Sequence, residues 1–374
     1  MLPAPLPSGP APEVQTQPAP AEAAPAATPV APGTAEAPNA APAAPASGAP
    51  AVAPSTDAIA LVLPLDSPLY GRAADAVRQG FLAAAGVAGS ASRVHVFAHG
   101  DDGVLPAFAA ATASGAALIV GPLTRDDLKT VLALAPTRPR MLALNQLDDG
   151  SALPPEAYAL ALSVESDAAL LARQARADGA RTLARVTSDS PFQRRCKAAF
   201  SSTWERSGGT VLRDYRFDAN PDVLALLRRE LAASAPDAIL LCVAPGEASL
   251  AKSFLPPAPV YASSQIADGQ PPEMLRDLEG VRYVEIPWLA EPDDPAFARL
   301  PHTRLGDPVL DRLYALGLDA FLIAELLSAP EPPSRVELDG ATGHLSLTAS
   351  RMFSREGTLM VIRGGVATPL LARP

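Results

Sequence analysis

Positive charge is in short supply. The 374-residue chain carries 30 Lys and Arg against 40 Asp and Glu, a net charge of −10. Phosphate binding needs a basic face, so this balance argues against a nucleic-acid partner. No apolar run approaches the ~18 to 20 residues of a membrane span. There is no G-x-x-x-x-G-K-[ST] loop, no G-x-G-x-x-G and no G-x-S-x-G elbow, which leaves nucleotide cradling and esterase-type attack without a motif. Of the four histidines, His95 and His99 are four apart, but on a strand and its end, where side chains diverge rather than converge on one metal. No metal, cofactor or catalytic group is expected. Asp101-Asp102, Asp148-Asp149 and Asp293-Asp294 sit beside Gly or Pro and read as turn residues. Cys196 and Cys242 are the only cysteines. One falls on the apolar face of a helix with Phe192, Phe200 and Trp204, the other inside the strand AILLCVA. Both read as buried small hydrophobes, and a bridge between them is left open. The opening MLPAPLPSGP has neither the charged start nor the apolar core of a signal peptide.

What the chain does have is a strand, turn and helix in succession from Ile59 to Leu82. Ile59, Leu61, Val62 and Leu63 form a run with too few polar positions for a half-exposed strand, which predicts cover on both faces, as in a parallel sheet. Pro64 and Pro68 close it. Ala73, Val77, Phe81 and Ala84 then recur at helical spacing opposite Arg72, Asp75, Arg78 and Gln79.

Before this unit, residues 1–56 are almost wholly Pro, Ala, Gly, Ser and Thr, with no Lys, Arg or aromatic residue. Such a stretch cannot bury enough apolar area to offset its ordering entropy, and it reads as a disordered, polyproline-like tether reaching up to roughly 170 Å at about 3.1 Å per residue. After it, strands and helices alternate: RVHVFAH, a helix around Leu105 to Ala113, AALIVG, a helix capped by Thr124, and MLALN. A second series starts near Leu162 with a helix from about Glu165 to Ala175, then TLARVTSD, FQRRCKAAFSSTWERSG, TVLRDYRFD, DVLALLRRELAAS, AILLCVA, PVYASS and VRYVEIPWL. A helix at Leu316 to Ser328, GATGHLSLT and a hairpin-like SREGTLMVIRGGVA end the chain. Two consecutive βα series imply an α/β fold of two doubly wound, Rossmann-like lobes joined by a hinge. The expected division is lobe 1 at about 57–160 plus 288–328 and lobe 2 at about 161–287 plus 329–374.

This arrangement resembles the type I periplasmic binding-protein fold. The strings IALVLPLDSPLYGRAADAVRQGF, LIVGPLT, LALN, VYASSQI, GVRYVEIPWL, LGLDAF and GATGHLSL, in that order, are similar to the C-terminal domain of the LpoA-type penicillin-binding protein activator lipoproteins. The resemblance covers residues 57–374. It implies a non-catalytic periplasmic regulator that binds and activates a bifunctional peptidoglycan synthase of the penicillin-binding protein 1A type. It also implies a tether to the inner face of the outer membrane through a lipid anchor, although no lipobox Cys stands in this sequence. Members of that family carry a helical, TPR-like domain where this sequence has its Pro/Ala stretch. The alternative reading is a solute receptor of an ABC transporter that closes on an amino acid or similar small ligand. In binding proteins of this fold the ligand lies between the lobes at strand ends. The matching positions here are Asp66, Ser67 and Tyr70, then Gly121 and Thr124, Asn145, Ser188 and Asp189, Ser263 and Ser264, and Asp319. Thr124 is equally explained as a helix N-cap, and Asp319 as a partner of its own helix or a neighbouring loop. Asp66 would repel a ligand carboxylate.

Overall fold

The computed structural model describes residues 57–134, 139–147 and 151–370; the Pro/Ala-rich stretch 1–56 and the Asp148-Asp149 pair lie outside them. In chain order the first series comprises β1 (Ile59–Leu63), α1 (Gly71–Val87), β2 (Val94–Ala98), α2 (Val104–Ala113), β3 (Leu118–Val120), α3 (Arg125–Leu132), β4 (Met141–Ala143) and β5 (Ala157–Leu160). The second comprises α4 (Val164–Ala177), β6 (Thr182–Thr187), α5 (Pro191–Arg206), β7 (Thr210–Arg216), α6 (Pro221–Ser234), β8 (Ala238–Cys242), α7 (Pro245–Ser253), β9 (Val260–Ala262), α8 (Pro272–Asp277) and β10 (Val281–Glu285). A return segment follows, with α9 (Pro287–Ala290), α10 (Pro308–Leu327), β11 (Glu337–Gly340), β12 (Gly343–Leu347), β13 (Met352–Glu356), β14 (Thr358–Arg363) and β15 (Val366–Pro369).

Two sheets result. Their orders are β11-β12-β13-β5-β4-β3-β1-β2 and β15-β14-β10-β9-β8-β6-β7. Numbered within its own series, the parallel part of each sheet runs 5-4-3-1-2, so the two lobes repeat one topology. β1 is buried at every position, as a strand covered by helices on both faces must be. Helix starts follow from local chemistry. Ser163, Ser190 and Asn220 accept from the backbone N–H of Ser166, Gln193 and Asp222, and Pro191 and Pro221 occupy first-turn positions whose N–H has no helical partner anyway.

The return segment departs from the expected division. Residues 329–374 do not all join the second lobe: β13 pairs with β5 in the first sheet, while β14 pairs with β10 in the second. Packing explains the split. Leu345 and Phe353 are buried in the core that holds Ile59 and Phe81, whereas Met360 and Ile362 are buried with Ile239 and Tyr283. The segment SREGTLMVIRGGVA is therefore a hairpin only in its second half, where β14 and β15 pair antiparallel. β5 and β11 were not anticipated. β5 is only four residues, Ala-Tyr-Ala-Leu, all buried, and too short to show a period.

α10 is two turns longer than the apolar run Leu316 to Ser328 suggested, because Asp307 caps it by accepting from Val309 N–H and Pro308 starts it. It lies on α1 at very short range. A Cβ on Gly80 would come within 1.9 Å of the Tyr314 carbonyl oxygen, and one on Gly317 within 2.1 Å of the Val77 carbonyl oxygen. The two glycines let the helix backbones touch, and Phe81 meets Phe321 edge to face at 5.4 Å beside them. Replacing either Gly80 or Gly317 by Ala should lower the unfolding free energy by about 3 kcal/mol, the upper end of overpacking costs, because rigid backbone opposes the methyl group. Gly86→Ala, in the same helix α1 but with open space around it, should instead stabilise by up to about 1 kcal/mol. Thermal melts of the three variants check the contrast; equal effects would contradict the packing argument.

Candidate functional site

In a 2-1-3-4-5 sheet the chain departs in opposite directions from β1 and β3, and the crevice outside their carboxyl ends is where ligands of open α/β folds bind. The equivalent crevice of the second lobe lies outside β6 and β8. Asp66, Ser67, Gly121 and Thr124 stand at the first, Ser188 and Asp189 at the second. Most of their polar groups are already engaged. Thr124 accepts from Asp127 N–H at 3.1 Å and donates to the Asp127 carboxylate at 2.5 Å, which makes it the N-cap of α3. His99, buried at the end of β2, has its Nε2 3.9 Å from the same carboxylate. Gly121 holds a φ of +114°, and a Cβ there would come within 2.1 Å of the Val62 carbonyl oxygen, so only glycine lets β3 leave the sheet beside β1. The Ser67 hydroxyl accepts from Tyr70 N–H at 3.3 Å. Asp66, Leu69 and Tyr70 are exposed, Leu69 to 75%.

In the second lobe Ser188 donates to Glu247 across the crevice, and Glu247 also accepts from Ala244 N–H at 3.0 Å, closing the start of α7. Asp189 pairs with Arg194 at 2.7 Å; that guanidinium holds its carboxyl below the usual carboxylate range. Asn145 accepts from Arg125 at 3.2 Å and donates to the Leu123 carbonyl at 2.9 Å. Its neighbour Gln146 donates to Ser163 and Glu165, and Glu165 accepts twice from Arg195, at 2.6 and 2.9 Å. This chain of bonds joins a loop of the first lobe to α4 and α5 of the second. Asp319 is not at the cleft. It is fully buried and accepts from Ala341 N–H, Thr342 N–H and the Thr342 hydroxyl at 2.7, 2.7 and 2.5 Å, which fixes the β11–β12 turn on α10. A methyl group on Gly340 would strike that carboxylate at 2.6 Å.

Ser263 and Ser264, at the carboxyl end of β9, line a cavity of about 240 Å³ where the two lobes meet. Its walls are Leu162, Val164, Leu171, Phe192, Val284 and Leu313, and its charged floor holds Asp167, Glu285, Arg312 and Arg355. Arg312, from the first turns of α10, binds Glu285 with two bonds at 2.9 and 2.6 Å and Asp268 with two at 2.9 and 2.8 Å. Burial pushes this guanidinium down, but the two carboxylates more than reverse that and leave its pKa above the ordinary arginine value. Arg355 binds Asp167 and donates to the Thr342 carbonyl at 2.9 Å; burial raises the Asp167 pKa while Arg355 opposes the rise. The sequence reading missed this cluster, because its members lie far apart along the chain and none sits in a motif. Cys196 lines the same cavity and is joined to Cys242, which closes the alternative the sequence left open. The bridge ties α5 to β8 across the second lobe's core. Among the described residues no group of three or more His, Cys, Asp or Glu could hold a metal ion.

Two predictions follow from these contacts. Arg312→Ala leaves Glu285 and Asp268 facing each other without a cation, and should lower stability by about 3–5 kcal/mol; denaturant titration measures it, and a change below about 1 kcal/mol would contradict a buried, mutually dependent triad. Asp319 has its pKa pushed up to about 6 by burial, against the three hydrogen bonds it accepts. A raised carboxyl pKa contributes stability that is present below the unfolded value near 4 and lost as pH rises through the folded value. Between pH 4 and pH 7 the wild type should therefore lose about 2 kcal/mol relative to Asp319→Asn; a pH-independent difference between the two would contradict it.

The chain is similar to several known proteins. It is 27% identical over 323 residues to the penicillin-binding protein activator LpoA of Haemophilus influenzae, a match covering 83% of this chain and 55% of that protein. The chain thus spans about half the length of the curated relatives it matches. The solved C-domain of Haemophilus influenzae LpoA, described as a regulator of PBP1A, superposes with a TM-score of 0.71 at 25% identity, covering 84% of this chain and all of that one. A Chromobacterium violaceum structure described as a putative branched-chain amino acid ABC transporter superposes at 0.69 with 35% identity, covering 82% of this chain and 99% of that one. These likenesses bear out the bilobed periplasmic binding-protein fold. Residues 52–228 and 229–363 match the family described as "LppC putative lipoprotein", and with most of its length so matched the chain belongs to that family.

Proposed function

We propose that this domain is a non-catalytic regulator that binds a peptidoglycan synthase of the penicillin-binding protein 1A type and favours its active state. The observation that carries the reading is the state of the strand-end crevices. Ser188 and Glu247 engage each other, Thr124 and Asp127 engage each other, and the loop after β1 turns Leu69 and Tyr70 outward. A solute receptor needs free donors and acceptors at these ends; a scaffold for protein contact needs exposed apolar side chains on a rigid base. The similarity to LpoA supports the same conclusion. The Cys196–Cys242 bridge fits an oxidising compartment, which supports a periplasmic site at the outer membrane's inner face. The lipid anchor expected there is part of this proposal.

Regulation of this kind requires differential affinity. A partner that binds both states of the synthase equally shifts nothing, and a tenfold gain in the active population needs about 1.4 kcal/mol of preference. Likeness to the Chromobacterium violaceum structure favours a second reading, a receptor that closes on an amino acid. The two separate cleanly. Added to the synthase of its own cell, the chain should raise the rate of glycan polymerisation, and Leu69→Ala with Tyr70→Ala should raise the concentration needed about tenfold without changing the melting temperature. Unchanged polymerisation at saturation would overturn the regulator reading.

A further inference from the structure

We infer that the first lobe carries a self-association face, the free edge of β2 together with the exposed side of α2, and that its occupant is a second copy of this chain. The face lies on the outer flank of the first sheet, not at its strand ends, and is independent of the synthase proposed above. The repeated topology shows what is unusual about it. β2 and β7 are the edge strands at equivalent ends of the two sheets, and α2 and α6 are the helices that follow them. The second lobe protects its flank in the usual ways. β7 carries Arg213, Asp214 and Arg216 at exposed positions and a register shift against β6, and α6 exposes Asp222, Arg228 and Arg229. The first lobe has none of these. β2 reads Val-His-Val-Phe-Ala, without Lys, Arg, Asp, Glu or Pro, and Val96 is 39% exposed. Among the described helices of eight or more residues, α2 alone has no charged side chain, yet Leu105, Pro106, Ala109, Ala110 and Ala113 are all exposed. A helix apolar all round is ordinarily buried.

The backbone of β2 fixes how a copy would pair. His99 donates its N–H to the Leu63 carbonyl and accepts from Asp66 N–H, both on the β1 side. Backbone groups alternate along a strand, so those of His95 and Phe97 also face β1, and those of Val94, Val96 and Ala98 face away from the sheet. Val94 N–H turns back to the Ala91 carbonyl. The Val94 carbonyl and both backbone groups of Val96 and Ala98 have no partner among the described residues. An antiparallel copy with Val96 opposite Val96 satisfies four of these groups on the two-fold axis and beside it: each Val96 donates to the other, and each Ala98 N–H donates to the other copy's Val94 carbonyl. The same register sets each exposed His95 beside Phe97 of the other copy. α2 packs on both β1 and β2. With strands about 4.8 Å apart, a two-fold axis at the β2 edge brings the α2 helices of the two copies to about 10 Å, the distance at which helices pack.

Charge points to the occupant. Two chains of net charge −10 repel each other, and they can approach closely only over a surface that adds no like charge of its own. The flank of β2 and α2 is such a surface. Antiparallel pairing also keeps Asp101 and Asp102, just beyond the carboxyl end of β2, at opposite ends of the pair. The patch is smaller than the roughly 20 to 30 residues a side of a standard interface, so the dimer is a weak one, with a Kd on the order of 10–100 μM.

The test is analytical ultracentrifugation of the whole chain from about 5 to 500 μM, followed by thiol cross-linking. A monomer–dimer equilibrium is expected, no weaker at high salt than at low, because screening removes the net repulsion. Val96→Lys and Ala109→Glu each place like charges against their own copy and should weaken the dimer at least tenfold. Leu226→Lys, at a 43% exposed position of the equivalent helix α6, should leave it unchanged, with circular dichroism showing all three folded. Because Cys196 and Cys242 are joined to each other, Val96→Cys adds a lone free thiol. In the register above the two copies of it stand about 5.5 Å apart at Cα, within disulfide range, so mild oxidation should link them. Val366→Cys, on the edge strand β15 and at a position 59% exposed, should stay unlinked. If Val96→Lys does not fold, Ala109→Glu and Val96→Cys decide. A monomer throughout the range would overturn the proposal, as would a dimer that salt dissolves, a dimer that the charged variants leave intact, or cross-linking as ready through Val366→Cys as through Val96→Cys.

Discussion

The lobes are held in one arrangement by the ionic cluster at their junction. The chain crosses between the two sheets three times, after β5, after β10 and between β13 and β14. The crossings run so close that a Cβ on Gly357 would come within 2.6 Å of the Glu285 carbonyl oxygen. Arg312 reaches from α10 to Glu285 on one crossing and to Asp268 beyond it, and Arg355 reaches from another crossing to Asp167 on α4. Taking these charges out of water is costly, and mutual attraction offsets that cost only when every partner is in place. Any large change of angle between the lobes would have to separate at least one of them.

The repeated topology was legible in the sequence because parallel strands buried on both faces read as uninterrupted apolar runs. IALVL, LIV and AILLC are buried at every position, and the helices between them show a 3.6-residue stripe. What was hidden is what periodicity does not encode. β5 is too short, β11 is a strand of mixed polarity, and the assignment of residues 329–374 depended on long-range pairings, of β13 with β5 nearly two hundred positions earlier and of β14 with β10. The early start of α10 did have a local signal, Asp307 before Pro308, which the apolar run that follows overshadowed.

Asp66, Gly121, Asn145, Ser188 and Ser263 follow β1, β3, β4, β6 and β9, where a doubly wound sheet puts its loops, whereas Asp319 lies inside α10. Their roles were less legible. Whether Ser188 is free or bonded to Glu247 depends on a residue 59 positions away, and Asp319 faces the interior because the β11–β12 turn folds over it. The Arg312 and Arg355 cluster could not have been read from spacing at all. Its members are exposed-type residues that become buried only when both lobes are assembled.

Thr124 and Ser188 are engaged by neighbours of their own lobe, and the ionic cluster joins the two lobes at their junction, an arrangement that suits a scaffold better than a closing receptor. The most direct measurement is a binding titration of the labelled synthase with this chain, run with and without saturating leucine. The account predicts a saturable one-to-one complex whose affinity does not change with leucine. No complex, together with a leucine-dependent rise in this chain's melting temperature, would contradict it.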